Sequence, residues 1–111
     1  MICFDVHEVP PKLKAAGADI VLYSVGWYGP NTENWFADIF PRRYVVPNNF
    51  AVIVANWSGE EDAPAWEGQG HSCIIGRDGR LLVCAKTTLG SEIIIADLPL
   101  PQTLAPEWED E

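Results

Sequence analysis

The sequence predicts an α/β domain built on a mixed β-sheet, and three observations carry that expectation. Asp19-Ile20-Val21-Leu22-Tyr23-Ser24 and Phe50-Ala51-Val52-Ile53-Val54-Ala55-Asn56-Trp57 run without polar alternation, as strands covered on both faces do. Helix punctuation falls between the extended segments. A late Asp78-Gly79 pair sits between two apolar stretches and marks an antiparallel hairpin, since both residues tolerate positive φ.

The first element is the cluster Met1-Ile2-Cys3-Phe4-Asp5, read as the end of a buried strand turning into a helix. From Pro10 or Pro11 to Ala16 the chain carries Lys12, Leu13, Lys14 and Ala15 and then meets Gly17, with proline just inside and glycine just past a helix. With the run from Asp19 this makes a βαβ unit. Asn31 or Thr32 can cap a second helix that carries Trp35, Phe36, Ile39 and Phe40 on one side, interrupted at Pro41 and Pro47 by a kink or a break into shorter pieces. The run from Phe50 is the next strand, in a buried central position. Residues 58–69, rich in Gly, Glu and Pro, form the longest loop. Ser72 to Ile75 and Leu81 to Ala85 flank the turn Gly76-Arg77-Asp78-Gly79-Arg80, and Glu92-Ile93-Ile94-Ile95-Ala96-Asp97 is expected to be a last strand. The boundaries are then a domain over 2–98 and a proline-rich, acidic tail over 99–111.

At 111 residues and 48% apolar composition the chain suits one compact domain. A formal net charge of −9 argues against a nucleic-acid or anionic-membrane partner. Glu60, Glu61, Asp62 and Glu67, and the tail Glu107, Glu109, Asp110 and Glu111, read as a solvated loop and a frayed terminus. No apolar run approaches the roughly 20 residues that span a bilayer, and no signal peptide opens the chain, so a cytoplasmic location is expected. Cys3, Cys73 and Cys84 are odd in number, which fits free thiols in a reducing compartment.

Cysteine is among the most buried residue types, and Cys73 and Cys84 inside predicted strands read as packing. Trp27, Trp35 and Trp57 read as core or pocket wall, Trp66 and Trp108 as loop and tail. Cys3-x3-His7 and His71-x-Cys73 match no usual zinc framework, so neither a metal nor a cofactor is expected. His71-Ser72 lacks an evident acid partner and reads as strand-start hydrogen bonding. Cys3 differs, because a thiol at a strand-to-helix corner sits near backbone N–H groups that stabilise a thiolate or an oxyanion.

Several pieces occur in a telling order: Ile2-Cys3-Phe4-Asp5, Gly17-Ala18-Asp19-Ile20, Gly26-Trp27, Asn48-Asn49 with Ala51-Val52-Ile53-Val54-Ala55-Asn56, Gly70-His71-Ser72, and Asp78-Gly79-Arg80-Leu81-Leu82. In order and spacing they resemble the carbon–nitrogen hydrolase (nitrilase and aliphatic amidase) superfamily, in the C-terminal portion of its catalytic domain. The resemblance implies a partial αββα sandwich and cleavage of non-peptide C–N bonds by a Cys-Glu-Lys triad. It implies that Cys3 is the nucleophile, forming a thioester that water resolves, and that the Phe4 backbone N–H is an oxyanion-hole donor. The family's glutamate and lysine precede the cysteine. No glutamate precedes Cys3, and Lys12, Lys14 and Lys86 do not occupy the lysine position. Pro47 and Ser24 stand where the family usually carries glutamate and proline.

The expectation is therefore a truncated hydrolase, inactive alone, whose small amide or nitrile substrate is turned over only once an N-terminal segment completes it. A translation start upstream of Met1 would have the same appearance. The resemblance also implies a homodimer. The competing expectation is a non-catalytic remnant that serves as an assembly or interaction module.

Overall fold

A computed structural model of the chain describes residues 1–26, 32–56, 70–86 and 92–99. Among these residues four strands form one mixed sheet in the order β1-β2-β3-β4: β1 is Ile20–Val25, β2 Ala51–Asn56, β3 Cys73–Ile75 and β4 Leu81–Cys84. β1 and β2 run parallel, with Ile20 beside Ala51 and Val25 beside Asn56, while β2–β3 and β3–β4 are antiparallel. Ile2 forms a parallel bridge to Ser24 on the free side of β1, so the start of the chain extends the sheet by one short rung.

Local chemistry explains the connections. Helix α1, Pro10–Ala15, has proline in its first turn. It closes in a Schellman arrangement, Gly17 N–H to Lys14 C=O and Ala18 N–H to Leu13 C=O, with Gly17 at φ 91°. The second helical segment begins as the α-turn α2, Thr32–Asn34, and continues as two wide π-helical turns, Trp35–Ile39 and Pro41–Val45. The expected break thus falls at Pro41, which has no N–H to continue the first piece and starts the second. In the hairpin, Gly79 at φ 85° donates to Gly76 C=O, and Asp78 Oδ1 takes the Arg80 N–H. Only glycine fits there, because a Cβ would lie 2.7 Å from Val46 Cγ2.

The core lies between one sheet face and the helical segment. Val21, Tyr23, Val25, Val52, Val54, Cys73 and Ile75 pack against Trp35, Phe36, Phe40 and Val45, joined by Val6 and Phe50.

The opposite face corrects one expectation. β1 alternates exposed and buried along its length, so it is covered on one face only. Leu22, Ile53, Ile74 and Val83 lie in register across that outer face; it is open at Leu22, 65% exposed, and Ile53, 36%, and closes over toward β3, where Ile74 is buried. A continuous apolar run cannot distinguish a strand buried on both sides from one whose second apolar face stands open. β2 likewise leaves Ile53 and Ala55 exposed.

A second correction concerns Glu92 to Asp97, which joins no strand ladder among the described residues and exposes Ile93 and Ile95 at 89% and 82%. β-branched residues supply the propensity for a strand, but a strand also needs a neighbour to take its backbone bonds. The segment is anchored at both ends instead: the Glu92 carboxylate accepts the Lys86 N–H, and Arg77 donates to Pro99 C=O. Trp27, Trp57, Trp66, Trp108, the loop 58–69 and the tail beyond Pro99 lie outside the described residues. No helix among the described residues is long and apolar enough to cross a membrane.

Candidate functional site

Cys3 follows the bridged Ile2 and opens a 3-10 turn, Cys3–His7, so it stands at the end of a strand rung as the sequence led one to expect. Its backbone is in the left-handed region at φ 45°, a conformation costing a non-glycine residue about 1–3 kcal/mol and concentrated at functional sites. Asp5 closes the corner: its N–H donates to Ile2 C=O at 3.0 Å and its carboxylate accepts the Ile2 N–H at 3.2 Å.

Two groups from the end of β1 meet Cys3. The Gly26 N–H donates to Cys3 Sγ at 3.3 Å, and the Tyr23 hydroxyl donates to the Cys3 carbonyl at 2.9 Å. Cys3 itself is half-buried. Burial pushes the Tyr23 phenol well above its ordinary range, and the charges that Cys3, Tyr44 and Asp5 can carry push it the same way. Tyr23 therefore remains a neutral donor.

Phe4, the expected oxyanion donor, exposes its ring at 78%. Sitting in the first turn of a 3-10 helix, it has no intrahelical acceptor for its N–H. Its ring stacks on His7 at 5.9 Å between centroids, and His7 Nδ1 hydrogen-bonds to the Tyr44 hydroxyl at 3.1 Å. Tyr44 in turn packs against Phe40 and Trp35. An aromatic wall thus runs from the exposed turn into the core.

The other thiols stand elsewhere. Cys73 and Cys84 face each other across β3 and β4, and because the Ala85 N–H donates to Ser72 C=O they form a non-hydrogen-bonded pair, the closer kind. Cys84 Sγ is 3.8 Å from His71 Nδ1, so the structure joins His71 to Cys84 and gives it no contact with Cys3. Among the described residues no group of three or more His, Cys, Asp or Glu is arranged to hold a metal ion. Ser72 Oγ accepts the Asn56 N–H at 3.0 Å, in keeping with a hydrogen-bonding role at the strand start. A cleft of about 330 Å³ lies between the Gly76–Asp78 turn and Asp97, Leu98 and Pro99, and Cys3 is not part of its lining.

Cys73 is fully buried, and burial pushes its thiol up to about 12 from 9.0, with the neighbouring Cys84 thiol acting in the same direction. The unfolded chain ionises this thiol near its ordinary value while the folded chain keeps it protonated. The folded state then binds more protons, and stability falls as pH rises through that window. Urea denaturation across pH from about 9 to about 12 is expected to show this decline, and Cys73→Ala to make it shallower. Equal slopes in the two proteins would count against it.

Gly26 and Tyr23 are the site residues that sequence reasoning missed. Tyr23 reads only as one member of an apolar run, and its hydroxyl becomes informative once the Ile2–Ser24 bridge brings Cys3 beside it.

Comparison with known proteins gives a consistent result. The family model described as carbon–nitrogen hydrolase matches residues 1–105. A probable nitrilase of Schizosaccharomyces pombe is 29% identical over 84 residues, covering 74% of this chain and 29% of that protein. Among solved structures, an amidase from Nesterenkonia sp. AN1 carrying the acetamide moiety of fluoroacetamide covalently at its active-site cysteine is 28% identical. Its TM-score is 0.61, over 77% of this chain and 32% of that one. The nitrilase-superfamily protein Nit3 of Saccharomyces cerevisiae, at 19% identity and a TM-score of 0.61 over 76% of this chain and 31% of its own, shares the fold. The chain thus spans about a third of the length of these relatives. With a helix-covered mixed sheet of the nitrilase type and a family match over nearly all of its length, this chain belongs to the carbon–nitrogen hydrolase family.

Proposed function

We propose that Cys3 is the nucleophile of an amidase- or nitrilase-type reaction, attacking the carbon of a small amide or nitrile and passing through a thioester-type intermediate. The observation that carries this reading is the geometry at Cys3: a left-handed backbone, a thiol facing the Gly26 N–H, and the next N–H in the first turn of a 3-10 helix. The covalent adduct on the cysteine of the Nesterenkonia amidase supports it by relationship. In this reading the general base and the lysine come from sequence that precedes the cysteine in the family, and the domain over 2–98 contributes nucleophile and oxyanion donor to a cytoplasmic hydrolase whose thiols stay free in a reducing compartment.

An activated ester separates nucleophile from base. With p-nitrophenyl acetate the thiolate adds to the carbonyl carbon, the C–O bond to nitrophenolate breaks, and the acetyl group stays on sulfur without any need to protonate the leaving group. Peptide mapping is expected to find acetyl on Cys3. Acetyl on no cysteine, or on Cys84 alone, would overturn the proposal.

A second reading rests on the exposed Leu22 and Ile53 of the outer sheet face with the exposed Ile93 and Ile95. Apolar surface of this kind drives association, so an assembly module, including a homodimer, fits it. Light scattering is expected to show mass rising with concentration; a constant monomer mass would sink this second reading.

A further inference from the structure

The Tyr23 hydroxyl is nearly inaccessible, the residue being 1% exposed, yet it reaches out of the core to the carbonyl of Cys3 at 2.9 Å. That carbonyl and the Phe4 N–H belong to one peptide unit. The unit is planar and trans, so its C=O and N–H point in opposite directions. Fixing the carbonyl toward the buried phenol therefore fixes the Phe4 N–H pointing away from that phenol, in a residue that is itself 78% exposed.

We infer that Tyr23 is a positioning residue for the oxyanion hole: by holding the Cys3 carbonyl, its hydroxyl aims the Phe4 N–H at the substrate oxygen. The inference rests on the reading of Cys3 as nucleophile and adds the residue that orients its electrostatic partner. Two further observations support it. The left-handed backbone at Cys3 needs a restraint, since an unrestrained non-glycine residue relaxes out of that region. The phenol is itself held in place by its ring, which packs on Phe40 with centroids 5.1 Å apart. Hydrogen bonding to the carbonyl also polarises the peptide, which strengthens its N–H as a donor.

Two reactions of the same thiol test it. Acetylation by p-nitrophenyl acetate develops negative charge on the carbonyl oxygen and needs the donor. Alkylation by iodoacetamide forms an S–C bond at a saturated carbon as iodide leaves, and develops no oxyanion. Both need the same thiolate, so the ratio of their rates at Cys3, followed by peptide mapping at one pH, cancels the ionisation of the thiol. In Tyr23→Phe the ratio is expected to fall roughly 10- to 100-fold. A general loosening of the fold would alter both rates together and leave the ratio standing. An unchanged ratio in folded Tyr23→Phe overturns the inference while leaving the nucleophile intact; absence of acetylation in the unsubstituted chain overturns the nucleophile reading and this inference with it. If Tyr23→Phe does not fold, 4-aminophenylalanine and 4-fluorophenylalanine at position 23 fill the hydroxyl's volume with and without a donor. The amino variant is expected to keep the higher ratio, and equal ratios overturn the inference.

Discussion

Replacing Phe40 with alanine is expected to remove about 3–5 kcal/mol of folding stability, measured as a lowered urea midpoint at constant slope. Phe40 is fully buried, and its ring meets Tyr23, Trp35 and Tyr44 at centroid distances of 5.1, 6.0 and 5.9 Å. It stands at the junction of the two π-helical turns, immediately before Pro41. Domains of this size hold only about 5–15 kcal/mol in total, so the loss is a large share. A change below about 1 kcal/mol would mean that the cavity collapses freely and that the aromatic cluster contributes little to stability.

The second large effect concerns Cys3. Cys3→Ala is expected to abolish acetylation at this position completely, and comparison with Cys3→Gly separates chemistry from conformation. Both variants lose the thiol, but glycine adopts φ 45° without the steric penalty that alanine retains. Glycine also costs more backbone entropy on folding, which offsets part of the gain. Cys3→Gly is therefore expected to be more stable than Cys3→Ala by up to about 1 kcal/mol. Denaturation curves decide it; an alanine variant as stable as the glycine one would mean that the corner carries no strain.

Much of this architecture was legible in the chain. The Pro-to-Gly frame of α1, the break at Pro41 and the Asp78-Gly79 turn are local, and each follows from what one or two residues permit at their own φ and ψ. Cys3 was legible for the same reason, standing between a strand rung and a turn. What the sequence could not convey depends on neighbours distant along the chain. The β-branched run at Ile93 to Ile95 looks like a strand until one asks what would take its backbone bonds. Leu22 and Ile53 look buried until the covering layer is sought on their side of the sheet. Cys73 faces Cys84, and the Tyr23 phenol reaches Cys3, only because a particular register brings them together.

The β1–β2 ladder has a kinetic meaning. Pairing Ile20 with Ala51 requires the chain to close a loop of about thirty residues before a single rung forms. The β3–β4 hairpin closes across a turn of five residues, Gly76 to Arg80, and can form early. The corner at Cys3 depends on a contact with Ser24, and so on β1 being fixed in the sheet. The order implied is hairpin first, parallel pair next, nucleophile last, so a chain caught midway would expose its apolar strands before it had acquired a reactive thiol geometry.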